Sequence, residues 1–208
     1  MPVSFALIAI NVLVFAMQML DPTLTESLLY AKYPGGYSTL TRALTSGFAH
    51  STTDLLHILF NMWSLFVVGR ILEPILGRVK FLIVYFLSLF GGAIGVLFLA
   101  PLGSSVVGAS GAIFGLMGAL IVIYRVAKTN MTQILVLVGI NFALSFQQGI
   151  SWQAHLGGFI VGGLITLVYA VFKKPTQKAT LYIAIAGIAV ALAGLWIYGN
   201  AILPYAVN

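Results

Sequence analysis

Residues 81–100 read FLIVYFLSLFGGAIGVLFLA, twenty positions from Phe81 to Ala100 without a charge. A helix rises about 1.5 Å per residue, so a run of this length crosses the roughly 30 Å hydrocarbon core of a bilayer. Arg78 and Lys80 precede it and Pro101 follows it. Outward from this run the pattern recurs at Phe5–Leu20, Leu55–Leu72, Ser110–Tyr124, Met131–Phe146, His155–Phe172 and Thr180–Gly199, each bounded by charge, Pro or Gly. The fold expected is all-α, a polytopic bundle of membrane helices. The fourth and fifth segments are shorter than an ideal span, which suits helices buried among others with ends below the membrane surface. The one long connection, Asp21–Thr53, leaves no room for a soluble domain.

Composition agrees. Of 208 residues, 61% are hydrophobic and 7% charged, against roughly 25% charged in an ordinary soluble domain. The net charge of +6 does not imply a nucleic-acid partner, because the basic residues fall in short loops between apolar runs. There is no cysteine, which excludes disulfides, a thiolate nucleophile and Cys-ligated metal. Met1–Leu20 has no Lys or Arg ahead of its apolar stretch and no small-x-small site before Asp21. It therefore reads as a retained first span and not as a signal peptide.

The loop charges predict the orientation. Arg70, Arg78 and Lys80 lie between spans two and three, Arg125 and Lys128 between four and five, and Lys173, Lys174 and Lys178 between six and seven. All fall on one side of a zigzag, whereas the other side holds only Lys32 and Arg42. By the positive-inside rule the N-terminus is cytoplasmic and the C-terminus outside. Spans two, four and six then begin near the outer surface, and the polar residues with chemical potential sit at those three ends.

Gly108-Ala109-Ser110-Gly111 opens the fourth span, with Gly115 and Gly118 beyond it. Gly111, Gly115 and Gly118 form a small-residue stripe for close helix packing, and taken alone that is the simpler reading. Ser110 adjoins the stripe without belonging to it. His155, Gly158 and Gly162 share one face of the sixth span by their i, i+3, i+7 spacing. An ionisable group within a span is a functional candidate; a structural histidine bonded to a carbonyl is the alternative. Two glycine-bearing faces would let the helices approach closely and bring Ser110 and His155, at similar depth, within hydrogen-bond reach. His155 would then take the Ser110 proton and return one to the leaving amine.

The four acids are Asp21, Glu26, Asp54 and Glu73, none expected inside a span. A serine–histidine dyad is the natural assignment, and the scarcity of acids argues against an aspartyl site, which needs two carboxylates within its spans. No His-Glu-x-x-His pattern occurs, so neither a metal site nor a cofactor is expected. His57 and Asn61 lie one turn apart at the start of the second span. Both can donate to a developing oxyanion together with the Ser110 N–H; for Asn61, an interhelical polar clamp is equally open. His50 reads as structural, and Arg70 and Glu73 as an ion pair fixing a helix end.

With these motifs in place, the chain resembles the rhomboid family from about Ile8 to Phe172. The resemblance rests on His57-x-x-x-Asn61, on Gly108-x-Ser110-Gly111, and on Ala154-His155-x-x-Gly158-x-x-x-Gly162. It implies a six-span rhomboid-like core, residues 1–175, followed by one additional transmembrane helix in residues 176–208. It further implies an intramembrane serine protease that cleaves single-span proteins near the non-cytoplasmic face, with Ser110 as nucleophile, His155 as base, and His57 and Asn61 as oxyanion donors. The family's usual Trp-Arg in the first loop is Thr41-Arg42 here. Its usual Tyr one turn after the serine is Phe114, which can stack on His155 but not hydrogen-bond to it.

The expected partners are transmembrane substrates and the lipid bilayer, and the expected location is a prokaryotic plasma membrane. Oligomeric state stays open. Two other classes compete: a catalytically silent relative that binds transmembrane helices, and a small transporter. Retention of both Ser110 and His155 speaks against the first. The lack of internal repeats and of charged groups in the spans speaks against the second.

Overall fold

The computed structural model describes residues 1–33, 38–147 and 149–202. All seven apolar segments are helical. They correspond to α1 (Pro2–Leu20), α4 (Leu55–Leu76), α5 (Arg78–Leu99), α6 (Ser110–Val126), α7 (Thr132–Leu144), α8 (Trp152–Val171) and α9 (Lys178–Ile202). By length and composition α1, α4, α5, α8 and α9 can each cross a membrane, while α6 and α7 are apolar but shorter. The protein is an all-α polytopic membrane protein.

At the centre α5, α6 and α8 pack backbone to backbone. Every residue of α6 from Gly111 to Leu120 is buried. A Cβ on Gly158 would collide with the Gly111 carbonyl, and one on Gly162 with that of Gly115. The two glycine faces read from the sequence therefore do meet. A third face went unread: Gly91 and Gly95 of α5 approach the backbone of α8 at Gly157 and Gln153 with the same closeness. Missing side chains let these backbones touch directly, a route open to a bundle that has no hydrophobic force between its helices.

Around this core α1 packs on α4, α9 lies along α5, and α7 stands at the margin with only Ile134 and Val138 buried. Helix α4 runs to Leu76, four residues beyond the expected Leu72, and Glu73 is inside it and buried. The expected Arg70–Glu73 pair is absent. Arg70 is exposed, and Glu73 instead accepts the backbone N–H groups of Val3 and Ser4 at 3.0 and 2.8 Å and the Ser4 hydroxyl at 2.6 Å. A helix start leaves such donors without intrahelical partners, so a carboxylate from α4 caps α1.

On α9 the i, i+7 pair Gly187 and Gly194 has nothing within 4 Å of where a Cβ would stand. The docking glycine is Gly199, against Leu97 and Phe98 of α5, and the Asn200 side chain bonds Ser38 of the first loop.

That loop is more ordered than its sequence suggests. It holds α2 (Thr23–Leu28), β1 (Tyr30–Ala31) and α3 (Leu40–Thr45), with β1 paired antiparallel to β2 (Ser105–Val106) just before α6. Arg42 secures the loop by donating to the carbonyls of Glu26 and Leu29 at 2.6 and 3.0 Å. The buried Gln18 of α1 joins the His50 backbone on both sides, donating to its carbonyl at 2.9 Å and accepting its N–H at 3.0 Å.

Candidate active site

The N-terminal ends of α4, α6 and α8 converge on a cavity of about 860 Å³ lined by His57, Asn61, Ser110, Ser145 and His155. Gly108 fixes where α6 begins. Its φ of +122° lies in a region only glycine enters freely, and its N–H is tied to the Ser46 carbonyl of the first loop at 2.8 Å. The chain turns there and the helix starts at Ser110, whose own N–H has no acceptor within the helix.

Ser110 Oγ lies 2.8 Å from His155 Nε2. His155 sits in the first turn of α8, a helix capped by the Ser151 hydroxyl, which accepts the Ala154 N–H. Phe114 stacks on the imidazole at 4.0 Å between centroids with 10° between planes. Phe142 of α7 meets Phe114 edge-on at 4.8 Å and Phe159 of α8 at 5.2 Å. The imidazole is thus held flat by a wall of rings.

Facing this pair, His57 accepts the Ser51 N–H at Nδ1, 3.2 Å away. A neutral imidazole with Nδ1 bare carries its proton on Nε2. That nitrogen faces Gly108: a Cβ there would stand 2.8 Å from His57 Nε2 and 3.8 Å from Ser110 Oγ. Glycine leaves open a space bordered by a donor and a hydroxyl. Asn61 spends one amide hydrogen on the His57 carbonyl at 2.8 Å and keeps the other.

His50 packs its ring on His57 at 5.2 Å. Burial, and next to it the proximity of His57, pushes it down to about 3, so it is neutral and serves as the backing of His57. The sequence readings thus bring Ser110, His155, His57 and Asn61 to one place. They missed Ser145, at the end of α7, whose hydroxyl lies 2.5 Å from His155 Nδ1. Among the described residues no cluster of three or more His, Cys, Asp or Glu side chains could hold a metal ion.

What fold and site define together is a polytopic membrane protein with a serine–histidine pair at the buried ends of two interlocked helices. The chain belongs to the rhomboid family: the rhomboid domain model matches residues 37–172. It is similar to YdcA of Bacillus subtilis, 38% identical over 124 residues, which cover 57% of this chain and 62% of that protein. With RHOMBOID-like protein 4 of Arabidopsis thaliana it shares 33% identity over 135 residues, 61% of this chain and 33% of the relative. With Rhomboid protease GluP of Bacillus subtilis it shares 33% over 141 residues, 62% of this chain and 27% of the relative. The chain spans less than two thirds of the length of each of these relatives. Members of the family are mostly intramembrane serine proteases, with inactive relatives among them.

Proposed function

We propose that this protein is an intramembrane serine endopeptidase acting through a Ser110–His155 dyad on single-span membrane proteins near the non-cytoplasmic face. One observation carries the reading: the 2.8 Å bond from Ser110 Oγ to His155 Nε2 at the mouth of a cavity large enough for an extended peptide. His155 takes the hydroxyl proton as Ser110 Oγ attacks the scissile carbonyl, and passes it to the leaving amine as the C–N bond breaks. Water then adds to the acyl-enzyme by the same steps in reverse, releasing the carboxylate and restoring Ser110. The negative oxygen of each tetrahedral intermediate lies in the space beside Gly108, within reach of His57 Nε2–H, the free Asn61 amide hydrogen and the Ser110 N–H.

A helical substrate hides its carbonyls in i→i−4 bonds, so the scissile segment must unwind first. Substrates are therefore helices weakened near their outer end by Gly, Pro or polar residues. The loop charges support a cytoplasmic N-terminus and an outer C-terminus, in a prokaryotic plasma membrane. Residues 1–175 are the catalytic unit and 176–208 an added helix, of which residues 203–208 lie outside the described part.

The test is cleavage of a model single-span substrate by purified protein in detergent and in vesicles. Wild type should cleave and be labelled by a fluorophosphonate, while Ser110→Ala and His155→Ala, folded, should not cleave. Substantial proteolysis by pure Ser110→Ala protein would overturn the mechanism.

A further inference from the structure

The dyad leaves one feature unexplained, a second hydroxyl on the far side of the imidazole. Ser145 follows the last residue of α7 and is 1% exposed. Its Oγ lies 2.5 Å from His155 Nδ1 and 2.9 Å from the Asn141 carbonyl. No carboxylate hydrogen-bonds His155 among the described residues, and the four acids of the chain lie elsewhere.

We propose that Ser145 is a positioning residue that locks His155 in the tautomer able to accept the Ser110 proton. The inference rests on the reading of Ser110 and His155 as the catalytic pair. A hydroxyl has one proton to give and two lone pairs to receive. A carbonyl oxygen can only accept, so the bond to Asn141 takes the Ser145 proton. The remaining short contact must then run from His155 Nδ1–H to Ser145 Oγ. A neutral imidazole protonated at Nδ1 is bare at Nε2, the nitrogen that faces Ser110. The three bonds therefore have a single direction, from Ser110 through His155 and Ser145 to the Asn141 carbonyl.

The opposite arrangement, with Ser145 donating to Nδ1, would put the proton on Nε2 and turn His155 into a donor toward Ser110. It would also leave the Asn141 carbonyl with the Ser145 N–H alone, at 3.1 Å. The sequence of bonds requires no acid. When His155 accepts the Ser110 proton, the charge on the imidazolium is met at Nδ1 by an oxygen already in place, and Ser145 keeps its own proton. A hydroxyl thus takes the orienting place that a carboxylate fills in acidic triads.

Two measurements decide it. In wild-type protein labelled with ¹⁵N-histidine, and assigned with His50→Ala and His57→Ala, His155 should show a protonated Nδ1 and a bare Nε2. The reverse tautomer overturns the proposal without any variant at Ser145. Kinetically, Ser145→Ala should lower kcat and the rate of fluorophosphonate labelling by about tenfold or more, as expected for losing one aligned hydrogen bond, with KM unchanged. Ser145→Thr, which keeps the hydroxyl, should recover most of that loss. Wild-type labelling and kcat in Ser145→Ala, with Ser110→Ala inert beside it, would refute Ser145 and leave the dyad standing. If the wild type itself is not labelled at Ser110, the dyad falls and this inference with it.

Discussion

Gly108 and His57 face each other across the space beside the Ser110 hydroxyl: a methyl group on Gly108 would stand 2.8 Å from His57 Nε2. Gly108→Ala should therefore fill the place of the oxyanion and strain a backbone held at φ +122°. Cleavage and fluorophosphonate labelling should both be lost from protein that still elutes as a folded species. Retained cleavage would mean that the oxyanion forms elsewhere.

His57→Ala and Asn61→Ala should each slow turnover while the nucleophile survives. Loss of one oxyanion donor costs about 2.7–4 kcal/mol, or 10²–10³ in rate. Asn61 also bonds the His57 carbonyl, so Asn61→Asp, which offers no amide hydrogen, should fall with Asn61→Ala. Single-turnover kinetics on a model substrate distinguish this from a purely structural clamp, for which cleavage would follow only the loss of folded protein.

Glu73→Ala should destabilise the bundle away from the chemistry. It strands the Val3 and Ser4 donors that Glu73 now satisfies, at about 1–3 kcal/mol for a buried group left without its partner. Glu73→Gln retains one acceptor oxygen and should fall between. Thermal unfolding in detergent measures both, and the folded fraction should keep wild-type labelling.

Truncation after Lys178 should leave Ser110 reactive. None of the proposed catalytic residues lies on α9. It packs on α5, with Gly199 against Leu97 and Phe98, touches α8, and meets the first loop through Asn200. The expected cost is lower stability and altered substrate access, seen as labelling retained with cleavage reduced. A well-folded residue 1–178 protein with neither would place α9 in the site.

Single cysteines report the orientation against a clean background, since the chain has none. A cysteine at Ser104 should react with an impermeant thiol reagent from outside, and those at Thr129 and Thr176 should not. The reverse pattern would put the cavity on the cytoplasmic side.

The helices and the meeting of Ser110, His155, His57 and Asn61 were legible because each left a local mark: an uncharged run, or a polar residue beside glycines at helical spacing. Gly91 and Gly95 carry the same i, i+4 mark and could have been read by the same rule. Ser145 could not. A lone serine at the end of an apolar run has no spacing partner, and its role depends on where α7 ends relative to α8. Glu73 misled for a related reason. Arg70 is its neighbour along the helix, whereas its actual partners lie some seventy positions away on α1. Gln18 and His50 likewise meet only through tertiary structure.

The glycine contacts joining α6 to α8 have a consequence for how the surrounding lipid can act on the protein. They set the separation of Ser110 and His155 by the width of two peptide backbones, a dimension with no rotamers and little compressibility. A thicker or thinner bilayer tilts helices at the lipid boundary, and here those are α1, α4, α7 and α9. Between α6 and α8 the backbones touch at Gly111 and Gly158 and at Gly115 and Gly162 with no side chain between them, so the two reacting groups move as one body. Lipid composition is then expected to govern which helices reach the cavity, and to leave the spacing of Ser110 and His155 unaltered.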